Sequence, residues 1–166
     1  MKTFKFLFIA LALLAAQNLS AQEIPKWKIA QLEQLISQSS KPAIINFWAT
    51  FCVPCIQELP YFQKGALQYQ KDSVQLILVS LDLEDAYPAK LKGFAKKLKI
   101  TAPIVFLDET NADAFCPVVD KTWSGAIPAT LFINNKTGYR KFIEDQLSED
   151  QLNLEIKALI DVPKKQ

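Results

Sequence analysis

An α/β fold, a central mixed β-sheet with helices on both faces, is predicted by three features of the sequence. Short, almost wholly apolar runs at Ala43–Trp48, Val74–Leu81 and Ile104–Leu107 have the continuous hydrophobicity of strands buried on both sides. Segments with apolar residues at helical spacing separate them, the alternation that parallel crossover units require. Asn135-Lys136-Thr137-Gly138, a turn signal between two further strand-like runs, adds an antiparallel hairpin.

Ile29, Leu32, Leu35 and Ile36 share one face of a helix that starts near Trp27 and ends at Ser39-Ser40-Lys41-Pro42. The strand Ala43–Trp48 leads through Ala49-Thr50-Phe51 to Cys52-Val53-Pro54-Cys55, and from there a helix runs to about Gln70. Val74–Leu81 is the second strand. Leu91, Phe94, Ala95 and Leu98 form the inner stripe of a helix over Lys90–Lys99, whose five lysines form a solvated face. Ile104–Leu107 is the third strand, and Asp108–Gly125 reads as an irregular polar connection. Ala129–Asn134 and Tyr139–Ile143 make the hairpin. Ser148, with Glu149, Asp150 and Gln151 in the first turn, caps a last helix bearing Leu152, Leu154, Ile156, Leu159 and Ile160.

Composition removes several function classes. A chain of 166 residues has room for one domain with a proper core. Its 19 Lys+Arg against 17 Asp+Glu include a single arginine, Arg140, and no basic patch of the kind that offsets nucleic-acid phosphates. The lack of histidine excludes a His general base, a Ser-His-Asp triad and a His-ligated metal. At 50% hydrophobic residues the chain is not a disordered one.

Residues 1–21 read as a separate unit. Lys2 and Lys5 precede an apolar run from Phe6 to Ala16, and Leu19-Ser20-Ala21 supplies small residues for cleavage, the order of a secretory signal. The 11-residue run is well short of the roughly 20 residues that span a bilayer. Cleavage after Ala21 leaves a domain of residues 22–166 with 17 basic and 17 acidic side chains, so the positive excess belongs to the signal. Pro163-Lys164-Lys165-Gln166 is no endoplasmic-reticulum retention signal, and the bacterial periplasm is the expected compartment. Disulfides persist there, which changes how the three cysteines are read.

The chemistry is concentrated at Cys52-Val53-Pro54-Cys55. A helix start places the Cys52 thiol at the exposed end and Cys55 nearly one turn inside. Unpaired N–H groups and the helix dipole favour a thiolate there, lowering the Cys52 pKa from about 8.5 toward neutrality. Cys52 can then attack a disulfide, and Cys55 can resolve the mixed disulfide that forms. Pro54 sets the backbone where a missing N–H costs nothing. Taken alone, such a pair also fits half of a zinc site or a structural disulfide. Zinc needs further sulfur or imidazole ligands, of which Cys116 is the one left, and a bond across so short a loop stabilises little.

Asn46-Phe47-Trp48-Ala49-Thr50-Phe51-Cys52-Val53-Pro54-Cys55-Ile56-Gln57-Glu58-Leu59-Pro60 resembles the active-site segment of the exported thioredoxin-like family that includes ResA and TlpA. Ile127-Pro128-Ala129-Thr130-Leu131-Phe132-Ile133 is similar to that family's second signature, a loop with a cis-proline. The resemblance covers residues 27 to 162 in element order, with these two motifs as its sharp parts. It implies a thioredoxin-like fold, in which the two motifs converge: Pro128 shapes the site, Ile127 contacts the substrate chain, and Trp48, Phe51 and Pro54 border it. Trp48 and Phe51 read equally as plain core aromatics. Glu58 lies one turn beyond Cys55 on the same helix face, and the matching glutamate of ResA-like proteins is linked to proton exchange at the cysteine pair. Cytosolic thioredoxins carry an aspartate where Asn46 stands, which leaves Glu58 as the nearby acid.

Cys116, in Phe115-Cys116-Pro117, belongs to neither motif. It reads as a buried free thiol behaving as a small hydrophobe, with a regulatory or intermolecular disulfide, or a resolving role near Cys52, as the sharper options. Trp123, Ser124 and Gly125 are candidates for the substrate approach. The expected activity is protein thiol-disulfide exchange without cofactor or metal. The resemblance implies a reductant of protein substrates, supplied by a membrane or periplasmic electron donor, while Val53-Pro54 leaves an oxidant open; a monomer is expected. A thiol peroxidase on the same fold is the alternative enzyme; it needs Thr or Ser and an Arg beside its thiol, and Arg140 sits on the hairpin. A non-catalytic binding module is the other alternative, and the intact cysteine pair speaks against it.

Overall fold

The structure, a computed structural model, describes residues 23–161; the export signal expected at residues 1–21 lies outside them. In chain order the elements are β1 (Lys26–Trp27), α1 (Ile29–Gln38), β2 (Ala43–Trp48), α2 (Val53–Gln68), β3 (Gln75–Ser80), α3 (Ala89–Lys97), β4 (Ile104–Leu107), α4 (Ala112–Val119), β5 (Ala129–Asn134), β6 (Tyr139–Ile143) and α5 (Glu149–Ile160). The strands make one sheet in the order β1-β4-β3-β2-β5-β6. β1 to β4 run parallel to one another, β5 is antiparallel to β2, and β6 is antiparallel to β5. The mixed sheet read from the sequence is therefore the one observed.

Every residue of β2 is buried, because helices cover both faces of this interior strand. Strand alternation sends Ile44 and Trp48 to one layer and Ala43, Ile45 and Phe47 to the other. The first layer packs against Leu59 and Phe62 of α2, Leu91 of α3, and Leu152 and Ile156 of α5. The second packs against Leu32 and Ile36 of α1 and Phe115 and Val119 of α4. α2 and α5 cross closely at Gly65, where a Cβ would lie 3.0 Å from Ile156 Cδ1. The predicted cap of α5 forms as a reciprocal pair: Gln151 N donates to Ser148 Oγ at 3.3 Å, and Ser148 N donates to Gln151 Oε1 at 2.8 Å. Among the described residues no helix is long and apolar enough to cross a membrane.

Two elements depart from the expectation. β1 is a two-residue edge strand beside β4, too short to show any periodicity, so the sequence reading runs it into the following helix. The larger correction is α4, which replaces part of the irregular stretch expected over Asp108–Gly125. Pro117 removes one helical donor and masks the pattern. Burying Phe115, Cys116 and Val119 against the second layer outweighs that loss, and Trp123 closes the cluster with ring centroids 4.5 Å from Phe47 and 5.8 Å from Phe115.

Candidate active site

β2 delivers its last residue, Trp48, into a turn held from the neighbouring strand. Asp82, just past β3, accepts Thr50 N–H at 3.0 Å and Thr50 Oγ1 at 2.5 Å through Oδ1, and Ser80 Oγ at 2.8 Å through Oδ2. Cys52 N–H donates to Ala49 O at 3.1 Å, which completes the turn. Cys52 then takes the N-cap position of α2 with extended backbone (φ −88°, ψ 99°), and Pro54 falls in the first turn. Cys55 N–H donates to Cys52 Sγ at 3.3 Å, so the sulfur occupies the place of a capping oxygen. A negative charge on that sulfur is stabilised by this N–H and by the helix dipole.

Cys52 and Cys55 are joined as a disulfide, their Cα atoms 5.3 Å apart. Cys52 keeps 8% of its surface exposed and Cys55 none, so an incoming sulfur can reach the first cysteine and not the second. The Ile127–Pro128 peptide bond is cis, and Ile127 O lies 3.7 Å from Cys52 Sγ. The two sequence motifs thus meet at one sulfur.

The bordering residues divide. Phe51 is 67% exposed and, with Ile127, Leu81, Leu83, Phe115 and Gly125, lines a cleft of about 390 Å³ beside the disulfide. Gly125 sits there at φ +94°, a conformation side chains rarely adopt. Trp48 is fully buried and packs on Phe94 at 5.9 Å, so it supports the site from below. Trp123 is likewise core, its indole N–H donating to Ala126 O at 2.9 Å, and Ser124 N–H is taken up by Glu144.

Glu58 lies fully buried one turn past Cys55. Asn46 Nδ2 donates to its Oε1 at 2.8 Å, and Leu147 N–H donates to its Oε2 at 3.2 Å. Burial raises its carboxyl to about 7 from an ordinary 4.5, against the pull of the Asn46 and Leu147 hydrogen bonds, and nearby Asp145 adds to the rise. An acid with that value both takes and gives a proton near neutral pH.

Sequence reasoning missed the segment Glu144–Leu147, which braces both halves of the site. Glu144 accepts Ser124 N–H at 3.1 Å and Ala126 N–H at 3.0 Å, fixing the approach to Pro128. Gln146 Nε2 donates to Pro54 O at 3.1 Å, Leu147 N–H holds Glu58, and Tyr61 OH donates to Leu147 O. Asp82 was missed as well; its one legible signal is an acid directly after a buried strand. Nothing local to Glu144 marks it, since its partners lie about 20 residues away in the chain.

Cys116 is a buried free cysteine in the second layer, across the sheet from Cys55. Burial, with Glu144 and Asp113 nearby, pushes its thiol up to about 11. Arg140 donates to Val119 O and lies 4.0 Å from Asp120, at the end of α4, which occupies it away from Cys52.

Known proteins place this geometry. Residues 15–139 match the AhpC/TSA family. The thiol-disulfide oxidoreductase ResA of Oceanobacillus iheyensis is 27% identical over 77% of this chain and 66% of its own length. The sporulation thiol-disulfide oxidoreductase A of Bacillus subtilis is 28% identical over 70% of this chain and 67% of its own. A solved thioredoxin-related protein from Neisseria meningitidis serogroup B superposes with a TM-score of 0.62 at 29% identity, covering 74% of this chain and 87% of that one. The chain belongs to the AhpC/TSA family, and on its thioredoxin-like fold it carries, at Cys52 and Cys55, the site of a thiol-disulfide oxidoreductase.

Proposed function

We propose that this protein is exported by cleavage of residues 1–21 and, outside the cytoplasm, reduces disulfides of protein substrates. The observation that carries the reading is the asymmetric pair: an accessible sulfur at a helix start, and a buried one backed by a buried carboxyl. In the dithiol form, Cys52 thiolate attacks a substrate disulfide; a Cys52–substrate bond forms, and the first substrate sulfur leaves as a thiolate. Cys55 gives its proton to Glu58 carboxylate and attacks Cys52 Sγ. The second substrate thiolate leaves, and two electrons have passed from the enzyme to the substrate. The Cys52–Cys55 disulfide remains, and a partner dithiol must reduce it before the next turn.

The substrate chain rests along Phe51 and the Ile127–Pro128 loop, where the cleft and the Ile127 carbonyl border the reacting sulfur. Reduction of insulin disulfides with dithiothreitol as donor tests the activity: precipitation well above the dithiothreitol background is expected, and none overturns it. Equilibration with glutathione tests the direction. A reductant stays oxidised at glutathione ratios that leave an oxidant reduced. The mass of the protein recovered from an extracytoplasmic fraction, beginning at Gln22, tests export.

A further inference from the structure

The buried polar cluster beneath the cysteine pair leaves one atom out. Asn46 Nδ2 donates to Glu58 Oε1 at 2.8 Å and to Thr130 Oγ1 at 3.1 Å, while Asn46 Oδ1, also buried, has no partner among the described residues. Buried amide oxygens are nearly always paired, so an orphan in the middle of a site calls for a cause. Asn46 faces Thr130 directly across the β2–β5 ladder, which fixes the two side chains side by side.

Both partners of this amide work in two senses. A hydroxyl donates or accepts, and a carboxyl accepts when ionised and donates when protonated. The observed orientation offers Nδ2 hydrogens to both, which suits an ionised Glu58. Half a turn about the terminal torsion, a soft two-fold rotation, offers Oδ1 to both. That orientation suits a protonated Glu58 and a donating Thr130, and it leaves Nδ2 as the unpaired atom. A site with two matched orientations must leave one amide atom unpaired in each, and the orphaned Oδ1 is what such a site looks like in its ionised state.

We propose that Asn46 is the positioning residue for proton exchange at Glu58: its amide inverts as the carboxyl gains or loses its proton, so that each state keeps a hydrogen bond. The inference rests on the role given to Glu58 above. The amide itself relays no proton; the proton moves between Cys55 Sγ and the Glu58 carboxyl. The other groups around Glu58 are Asp145 and the Leu147 N–H from the β6–α5 connection and Tyr61 on α2; β2 and β5 bring the Asn46 amide and the Thr130 hydroxyl.

The test is a titration of the oxidised wild-type protein by NMR, following the Glu58 carboxyl carbon and the Asn46 side-chain NH₂ together. A shared midpoint is expected, with the protection of the Asn46 NH₂ hydrogens against exchange, taken relative to their intrinsic rate at each pH, falling below it, where they lose their partners. Asn46→Leu is expected to raise the Glu58 midpoint by about one pH unit, because the leucine removes a bond from both states and the bond to the ionised carboxylate is the stronger. An Asn46 NH₂ signal that ignores the Glu58 midpoint overturns the proposal, and it does so even if the leucine variant fails to fold. An unmoved midpoint in a folded Asn46→Leu overturns it too. Glu58→Gln separates the two ideas: if that variant keeps the wild-type pH dependence of insulin reduction, the role of Glu58 fails while the coupled titration of amide and carboxyl is unaffected.

Discussion

The two faces of the sheet each bury a cysteine near one loop, yet they make opposite chemistry. Ile127 O lies 3.7 Å from Cys52 Sγ on one side, and a Cβ at Gly125 would lie 3.7 Å from Cys116 Sγ on the other. Cys52 is 8% exposed and Cys116 3%, so accessibility alone does not separate them. Position in the helix does. Cys52 caps α2 and receives an N–H at its sulfur, whereas Cys116 sits within α4 among Phe115, Val119 and Trp123. The first layer also holds Asn46, Glu58 and Thr130 in one hydrogen-bonded cluster, where the second is apolar around its thiol. A buried thiol is thus inert by default, and a helix start with a polar layer behind it is what makes one reactive.

Of the two thiols, Cys52 carries the larger consequence when lost. Cys52→Ser is expected to lower insulin reduction by at least about a thousandfold, since the attacking group is gone. Glu58→Gln is expected to slow resolution of the mixed disulfide by about a hundredfold, a usual size for general acid–base assistance, and to flatten the rise in rate near pH 7.

The same substitution carries a stability signature of fixed sign. The Glu58 carboxyl titrates at about 7 when folded and near 4.5 when free, so as pH rises the unfolded chain loses its proton first and stability falls across that window. Glu58→Gln removes this loss. Urea melts at about pH 8 should find the variant more stable than wild type by up to about 3 kcal/mol, with the gap closing toward about pH 4.

Asp82→Ala probes the turn instead. Loss of the Thr50 and Ser80 hydrogen bonds is expected to cost about 1–3 kcal/mol of stability by chemical melts, with alkylation of reduced Cys52 changed more than that of Cys116. The smallest effect belongs to the second face. Cys116→Ala should leave insulin reduction within about twofold, and mass mapping of the oxidised wild type should show a free, unalkylated Cys116 beside a Cys52–Cys55 bond.

Much of this was legible in the sequence because the signals were local. β2, β4, β5 and β6 have the boundaries their apolar runs and the Asn135–Gly138 turn imply, and the Cys-x-x-Cys pair at a helix start needed only its neighbours. Helical spacing put Glu58 one turn beyond Cys55, and its link to proton exchange came from the resemblance to ResA-like proteins. Residues whose roles depend on distant partners were not legible. Asp82 acts on Thr50 across the β2–β3 pair, and Glu144 and Leu147 reach back to a loop and a helix elsewhere in the chain. α4 was hidden because Pro117 and its polar flanks look like a loop until the packing of Phe115 and Val119 is known. Trp48 shows the converse: it lies beside the motif in sequence, yet it is turned into the core.

If Cys52 attacks and Cys55 resolves, removing Cys55 traps the mixed disulfide. Reduced Cys55→Ala protein mixed with oxidised insulin should accumulate a covalent adduct that dithiothreitol releases, and peptide mapping should place it on Cys52 alone. An adduct on Cys116, or no adduct from a folded variant whose wild type reduces insulin, would contradict it.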